Sequence, residues 1–200
     1  KLKNIREVAA GIGVPDEEVF NYGKYIAKIP YKLIDEKRVA KSHLILVTAI
    51  TATKLAIGDI AVAESLVQHD MDTSPIGDPV GLISGINRVY FDTDIRAREI
   101  LVASAKKLGI SYLVGTVATG DKFISDKSDK DVITERFGAV AYEMEGGAIA
   151  HTAFVNDTPC MVVRAISDSA DGDACMDYPT FLPIATKAST SLTLSLIEEY

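Results

Sequence analysis

Residues 141–151 read AYEMEGGAIAH and join two elements of different pattern. This stretch overlaps an apolar segment from Gly138 to Tyr142 that is typical of a strand, and it continues into a helical pattern. Two carboxylates, Glu143 and Glu145, lie at the transition. In open α/β sheets, ligands bind just past the carboxyl ends of strands, so the stretch predicts a ligand site. The alternative is that the helix dipole stabilises acids in a first helical turn without any ligand.

The spacing of the acids and glycines adds to this interpretation. Glu143 and Glu145 are two residues apart, which on a helix places them on different sides, so they do not share one solvated face. Gly146 and Gly147 each cost about 1 kcal/mol relative to alanine inside a helix, which indicates that another group approaches the backbone closely. That group is either a ligand or a neighbouring strand.

Short apolar runs alternate with helical patterns along the rest of the chain. Alternating strands and helices form a mainly parallel, twisted sheet with helices on both faces. We therefore predict an α/β fold with a single domain over residues 1–200. The predicted strands are 44–48, 60–63, 112–118 and 161–166, and the predicted helices are 94–108, 146–155 and a last one from about Pro183.

Composition restricts the functions that this chain can have. The 200 residues are 48% hydrophobic and 24% charged, as in an ordinary globular domain, and the net charge is −7. This negative charge argues against nucleic acid or an anionic membrane as a partner, because both require a basic surface. The sequence has no apolar run long enough to span a membrane and no signal peptide, so we expect a cytoplasmic protein.

Cysteine and histidine do not favour a metal site. Cys160 and Cys175 are too few for a disulfide framework or a four-thiolate zinc site, and small buried thiols are the simpler interpretation. The three histidines lack the spacing of metal ligands. A metal site therefore has little support in the sequence.

A second candidate site follows the strand predicted to end at Ile166. Ser167 and Asp168 would reach the same sheet edge as Glu145, where a carboxyl with a raised pKa can act as a general acid. Taken alone, a Ser-Asp pair after a strand is more often a turn or a helix cap. Arg164 lies inside the apolar run, and a buried guanidinium needs an anionic or hydrogen-bonding partner.

Two further segments carry candidate residues. Phe123 follows the strand predicted to end at Ala118 and can stack on a flat heterocycle, while backbone groups at Ile124 read its edge. The alternative is a core aromatic after a tight turn. Near the start of the chain, residues 12–19 join an apolar segment to three acids that end at Glu18, and these acids alone are typical of a solvated helix start.

Two longer segments together resemble one enzyme family. Residues 140–151 and 162–171 are similar to the Glu-Met-Glu and Arg-Ala-Ile-Ser-Asp motifs of the 5′-methylthioadenosine/S-adenosylhomocysteine nucleosidases, at the separation found in that family. The resemblance covers roughly residues 44–200 and implies the fold of the nucleoside phosphorylases. Shorter segments that resemble the family in the expected order are 57–60, 69–72 and 119–124.

The resemblance implies a role for each matching residue. Asp168 would protonate the departing adenine, with Ser167 orienting it. Glu145 would bind ribose hydroxyls, and Met144 would lie against the sugar. Phe123 and Ile124 would hold the base. The full set of residues implied to bind the substrate is Ala52, Phe123, Ile124, Glu143, Met144, Glu145, Arg164 and Ser167.

The N-terminal part departs from the family pattern. Glu18 would activate water, because residues 12–19 resemble the family segment Ile-Gly-Ala-Met-x-Glu-Glu-Val. Val14-Pro15 replaces its Ala-Met, and proline removes a backbone donor. Residues 48–53 replace a glycine-rich turn, so that Ala52 stands where the second glycine would be. About two strands of the family fold are absent after Glu18, which indicates a shortened part over about residues 1–43 or residues omitted from the sequence.

The implied activity is hydrolysis of the N-glycosidic bond of 5′-methylthioadenosine or S-adenosylhomocysteine, with release of adenine. Such cleavage passes through an oxocarbenium-like ribosyl centre, so an acid for the base and a carboxylate-activated water are sufficient, and we expect no metal or other cofactor. One alternative is a purine nucleoside phosphorylase, which needs a cationic phosphate pocket that Arg164 alone would not provide. The other is a degenerate, non-catalytic member that binds nucleosides.

The resemblance also implies partners. These would be small-molecule adenine nucleosides and a second copy of the chain. In the resembled family, the region that corresponds to residues 69–72 and the apolar stretch 76–86 lends side chains to the partner's pocket. We therefore expect a symmetric homodimer, the commonest oligomer geometry.

Overall fold

A computed structural model describes residues 4–11, 13–21, 27–28, 44–52, 55–169 and 178–200 of the chain. The chain divides into two compact units, residues 1–42 and residues 43–200. The larger unit has the predicted α/β fold. That residues 1–43 belong to the same domain stays a prediction.

The elements described in the smaller unit are short. Its described parts are α1 (Ile5–Gly11), a 3-10 turn (Asp16–Glu18), β1 (Phe20–Asn21) and β2 (Ala27–Lys28), and the two strands pair antiparallel. Arg6 donates from Nη1 to the carbonyl oxygen of Asp16 at 3.1 Å, which ties α1 to the turn. The acids at 16–18 therefore form a single turn, whose Pro15 N-cap makes no side-chain cap hydrogen bond, and do not start a longer helix.

The larger unit is built on a six-stranded mixed sheet in the order β5-β4-β6-β7-β3-β8. Its long pairings, β3 with β8 and β4 with β6, are parallel, and the antiparallel pairings are short. The predicted, mainly parallel sheet is thus confirmed. The strands are β3 (Leu44–Ala52), β4 (Ile60–Gln68), β5 (Tyr90–Asp92), β6 (Tyr112–Thr119), β7 (Ala139–Glu143) and β8 (Cys160–Ser169).

The sheet also closes on itself, which the sequence did not predict. Ile60, Ala61 and Val62 of β4 pair antiparallel with residues 163–165 of β8. Since β8 also pairs with β3, the strands β4, β6, β7, β3 and β8 form a ring. Closure of a sheet removes free edges and brings side chains of distant strands to one interior.

Four helices of the described part belong to this unit: α2 (Ile95–Leu108), α3 (Lys127–Phe137), α4 (Gly146–Val155) and α5 (Tyr178–Glu199). The predicted ends of α2 are confirmed, since Asp94 accepts a hydrogen bond from Ala97 N at 2.8 Å and Gly109 takes the left-handed conformation. The predicted start of α5 near Pro183 is wrong. Pro179, not Pro183, lies in the first turn, where proline is favoured.

Helix α3 has no counterpart in the sequence prediction. Its composition is mostly charged, and only Lys130, Ile133 and Phe137 are buried. Three buried positions in eleven residues give too weak a period to detect.

The core lies where helices cover the strands. Helices α2 and α5 pack on β4 and β8 through a cluster that includes Leu101, Leu192 and Val163. Helix α4 belongs to a second cluster with β4 and β8, and α3 packs on β6 and β7 in a third. Cys160 is buried as predicted, and burial raises the pKa of its thiol to about 11, whereas Cys175 lies outside the described residues. In the part of the chain that the structure describes, no helix has the length and apolar character needed to cross a membrane.

Helix α5 provides a test of this packing, because Leu192 is fully buried and Leu194 is exposed on the same helix. We expect Leu192→Ala to lower the free energy of unfolding by about 2–5 kcal/mol through lost burial and an internal cavity. Leu194→Ala should change it by about 0.5 kcal/mol or less. Urea denaturation of both variants checks this, and equal losses would contradict the packing of α5 on the sheet.

Candidate active site

The register of the strands brings the predicted site segments to one edge of the sheet. Thr51 of β3 pairs with Tyr142 of β7 on one side and with Asp168 of β8 on the other. Adjacent strands lie about 4.8 Å apart, so the backbones of Tyr142 and Asp168 are separated by about 10 Å. Ala52, the last residue of β3, is fully buried between Ala141 and Ser169. Ala52, the Glu-Met-Glu segment and Asp168 therefore share this edge.

Ser167 and Asp168 lie inside β8 and do not form a turn after it. The strand continues to Ser169, because pairing with β3 extends it beyond Ile166. Ile50 pairs with Ile166 and Thr51 with Asp168, so Ser167 is an extra residue that β3 does not match. Such a β-bulge bends a strand, and bulges are frequent next to active sites. The turn or helix cap that the sequence offered as an alternative is wrong for these two residues.

A buried ion pair lies at the same edge. The Nη2 atom of Arg164 contacts Oε2 of Glu143, and both side chains are almost completely excluded from solvent. The prediction that Arg164 needs an anionic partner is thus confirmed. Burial lowers the pKa of Arg164 to about 10, which leaves the guanidinium charged at neutral pH. Its Nε and Nη1 atoms have no hydrogen-bond acceptor among the described residues.

Glu143 also satisfies the start of helix α4. Its Oε2 accepts hydrogen bonds from the backbone N–H of Glu145 at 3.1 Å and of Gly146 at 2.6 Å, while Oε1 accepts one from the hydroxyl of Thr119. The first N–H groups of a helix have no partner within the helix, so a carboxylate placed there is favourable. The alternative from the sequence, in which the helix dipole stabilises an acid without a ligand, therefore applies to Glu143. Glu143 is nevertheless the last residue of β7 and not a residue of α4.

Neighbouring strands account for the two glycines of the motif. Gly147 donates from its backbone N to Oγ1 of Thr119 at 2.6 Å, and a Cβ at Gly147 would lie 2.7 Å from that oxygen. A Cβ at Gly146 would lie 2.8 Å from Leu66 Cδ2. Of the two alternatives from the sequence, close approach of a strand therefore explains both positions.

The other two residues of the Glu-Met-Glu segment, Met144 and Glu145, are open to solvent. Met144 is exposed, and the Glu145 side chain is 58% exposed with Oε2 lying 3.7 Å from Arg164 Nη2. Glu145 occupies the position just before α4, and among the described residues this distant cation is the one opposite charge near its carboxylate. Both side chains are therefore available to a ligand at the edge.

The two candidate residues in the segment after β6 differ in their exposure to solvent. Phe123 is 62% exposed, so the interpretation as a core aromatic is wrong and its ring is free to stack on a ligand. Ile124 is buried in the cluster with Ile133 and Phe137, which fixes the backbone beside Phe123.

A cavity of about 210 Å³ adjoins this segment. Burial lowers the pKa of His69 below its usual value, and its Nε2 has no hydrogen-bond partner in the described part of the chain. Burial thus favours the neutral form of this imidazole. The cavity is lined by His69, Lys122, Ile124, Asp129, Val132, Ile133, Arg136 and Phe137.

Two residues remain: Glu18, which the resemblance implied, and Thr119, which it did not. Glu18 lies in the smaller unit, as the last residue of its 3-10 turn, and is half-buried. It is not among the residues that the register of the larger unit brings together. Thr119 was missed by sequence reasoning, because a single threonine at a strand end carries no signal of its own.

Comparisons with known proteins show which family this chain is similar to. Residues 47–198 match the family model described as the phosphorylase superfamily. The chain is 36% identical over 146 residues to the aminodeoxyfutalosine nucleosidase of Campylobacter jejuni, covering 73% of this chain and 63% of that protein. It is 30% identical over 149 residues to the 5′-methylthioadenosine/S-adenosylhomocysteine nucleosidase of Oceanobacillus iheyensis, covering 74% and 65%. The chain thus spans just under two thirds of the length of these relatives.

A solved structure shows the same fold. The 5′-methylthioadenosine/S-adenosyl homocysteine nucleosidase of Campylobacter jejuni superposes with a TM-score of 0.74 and 34% identity, covering 79% of this chain and 69% of that chain. The resemblance to nucleosidases that the motifs predicted is thereby confirmed.

The start of the chain has a second match. Residues 1–73 match the family model of formate–tetrahydrofolate ligase, which overlaps the first match at residues 47–73. Glu18 lies inside this match and outside the other. The match at residues 47–198 covers three quarters of the chain, however, and the chain therefore belongs to the phosphorylase superfamily.

Proposed function

We propose that the protein hydrolyses the N-glycosidic bond of an adenine nucleoside, 5′-methylthioadenosine or S-adenosylhomocysteine, and releases adenine. The observation that carries this proposal is the register at the sheet edge, where Thr51 lies between Tyr142 and Asp168. It supports one site that includes both the Glu-Met-Glu segment and the Ser-Asp pair. The similarity to nucleosidases supports the same activity.

In this proposal, Asp168 is the general acid. A purine leaves poorly as an anion, so protonation of its five-membered ring lowers the barrier to cleavage. Ser167 orients the acid, and its place in the bulge directly before Asp168 supports that role. The ribosyl centre becomes oxocarbenium-like as the base departs, and water then attacks it.

The exposed residues at the edge hold the substrate. Glu145 accepts hydrogen bonds from ribose hydroxyls, Met144 lies against the sugar, and Phe123 stacks on the adenine. The exposure of these three side chains supports direct contact. Backbone groups at Ile124 read the edge of the base, since its side chain is buried.

We propose a structural role in the site for Glu143, Arg164 and Ala52. Four protein groups already contact the buried carboxylate of Glu143, three at Oε2 and one at Oε1. We therefore assign Glu143 and Arg164 to holding the edge in shape, and not to the direct substrate contact that the resemblance implied. Ala52, fully buried at the end of β3, closes the floor of the site.

A phosphorylase remains the alternative reaction and aminodeoxyfutalosine the alternative substrate. Glu143 offsets the charge of Arg164, which disfavours a phosphate pocket around that cation. The name of the Campylobacter jejuni relative supports testing the second substrate. Adenine release from all three nucleosides, with and without phosphate, separates the possibilities, and phosphate-dependent release would overturn hydrolysis.

Asp168→Asn tests the proposed acid. Asparagine keeps the size of the side chain and much of its hydrogen bonding but cannot deliver a proton, so kcat should fall at least about 100-fold with the fold retained. Asp157→Asn is the matched control, because Asp157 is exposed and has a positive φ that asparagine tolerates. Near-normal kcat for Asp168→Asn with a lowered denaturation midpoint would show a structural role instead.

We also propose Glu18 as the residue that activates water, on the resemblance of residues 12–19 alone. Glu18→Gln should then lower kcat by about 100- to 10,000-fold while nucleoside binding is mostly kept, because an amide cannot take a proton from water. Glu17→Gln is the control, as Glu17 is exposed in the same turn. Normal turnover of Glu18→Gln would remove Glu18 from the mechanism, in keeping with the ligase match of this segment.

We further propose a symmetric homodimer formed through the region around residues 69–86. Ile76, 81% exposed, supports an apolar contact there. Light scattering at micromolar concentration should give twice the 21.5 kDa of one chain. Ile76→Asp should shift the mass toward one chain, whereas Ile197→Asp, at an exposed position of α5, should not. A single-chain mass for the unmodified protein would contradict the proposal.

A further inference from the structure

Thr119 occupies a junction between the two halves of the proposed site. It is the last residue of β6, it is buried, and it pairs in register with Gln68 of β4 and Glu143 of β7. The segment that carries Phe123 leaves the sheet directly after it. The next residue, Gly120, donates from its backbone N to the carbonyl oxygen of Glu143 at 3.1 Å. In the proposed site, β6 leads to the segment that binds the base, and β7 leads to the segment that binds the ribose. The ends of these two strands are thus joined at Thr119.

The hydroxyl of Thr119 makes two hydrogen bonds with different partners. It donates to Oε1 of Glu143 and accepts from the backbone N–H of Gly147 at 2.6 Å. Together with the bonds from Glu143 to Glu145 N and Gly146 N, two side chains hold three consecutive amides, those of residues 145–147. The first of these amides belongs to Glu145, whose carboxylate is exposed at the edge.

The packing leaves little freedom for this arrangement to shift. A Cβ at Gly147 would lie 2.8 Å from Cβ of Thr119, so the start of α4 rests directly on that side chain. Loss of the hydroxyl would leave a buried N–H without an acceptor and remove a donor from Glu143, and both effects favour movement of residues 145–147. A displacement of about 1 Å at a site can reduce the rate about 100-fold.

We infer that Thr119 is a positioning residue, which holds Glu145 for the ribose of the nucleoside through Glu143 and the amide of Gly147. This inference rests on the proposed function, since it assigns the ribose contact to Glu145. Thr119 itself does not touch the substrate. It couples the position of the ribose-binding carboxylate to the strand that carries the base-binding segment.

The test compares two variants of Thr119 with a control on the same strand. Thr119→Val removes the hydroxyl at constant shape and should lower kcat/KM for 5′-methylthioadenosine by about 10- to 100-fold. Thr119→Ser keeps the hydroxyl and should restore most of this loss. Thr116→Val removes a hydroxyl that bonds Ser65 at 3.0 Å, at the middle of β6, and should leave kcat/KM nearly unchanged.

A double variant separates positioning from general damage to the fold. If Thr119 acts through Glu145, Thr119→Val combined with Glu145→Gln should reduce kcat/KM no further than Glu145→Gln alone. Effects that multiply would mean that Thr119 acts independently of Glu145, and would overturn the inference. A folded Thr119→Val variant with normal kcat/KM would overturn it as well.

Amide hydrogen exchange gives a second readout that needs no substrate. Thr119→Val should accelerate exchange in the peptide that contains Gly146 and Gly147, while Thr116→Val should not. If the unmodified protein releases no adenine from any of the nucleosides, the proposed function fails, and exchange alone then decides whether Thr119 holds the start of α4. Unchanged exchange in Thr119→Val would overturn the inference in that case.

Discussion

The ion pair between Glu143 and Arg164 is the interaction on which the candidate site depends. It joins β7 and β8, two strands that β3 separates in the sheet and that share no backbone pairing in the described register. Removing one partner of a buried pair typically costs about 3–5 kcal/mol, because the other charge is left without compensation. In this chain the pair also has a geometric effect. The same carboxylate that neutralises Arg164 receives the first amides of α4, so the strand ends and the helix start are fixed by one group.

Several elements and the mainly parallel sheet could be predicted from the sequence, whereas helix α3, the start of α5 and the strand register could not. The positions of α2, α4 and the strand before Glu143 followed from the pattern of apolar residues and from Gly109 at the end of α2. The bulge at Ser167 depends on how β8 pairs with β3, and nothing within residues 160–169 specifies that register. The hydroxyl of Thr119 gains its two partners only when β6 lies beside β7. Closure of β4 onto β8 is likewise a property of the assembled sheet.

The resemblance of residues 12–19 to a nucleosidase segment is less specific than that of the two longer motifs. Residues 12–19 resemble a nucleosidase segment, yet the wider stretch 1–73 matches a ligase family, and the superfamily match begins at residue 47. The division of the chain near residue 42 falls close to that point. Three acids after a proline are favourable at the start of any helical turn, because the first amides of the turn are free. Such acids therefore do not distinguish one family from another. The Glu-Met-Glu and Ser-Asp segments differ in this respect, because their agreement includes the strands that precede them and their separation in the chain.

The closed ring of strands has a consequence for the order in which the molecule is made. Residues 60–62 of β4 pair with residues 163–165 of β8, about a hundred positions later in the chain. Contacts across such separations form late, since a long loop must be closed before they contribute, and domains assemble as synthesis proceeds. The pairings of β4 with β6 and of β6 with β7 require only residues up to 143, so they are available to the nascent chain first. The strand that closes the ring is also the one that carries Arg164 and Asp168. Until it is inserted, Glu143 lacks Arg164 beside it, and Asp168 has not joined Thr51 at the edge.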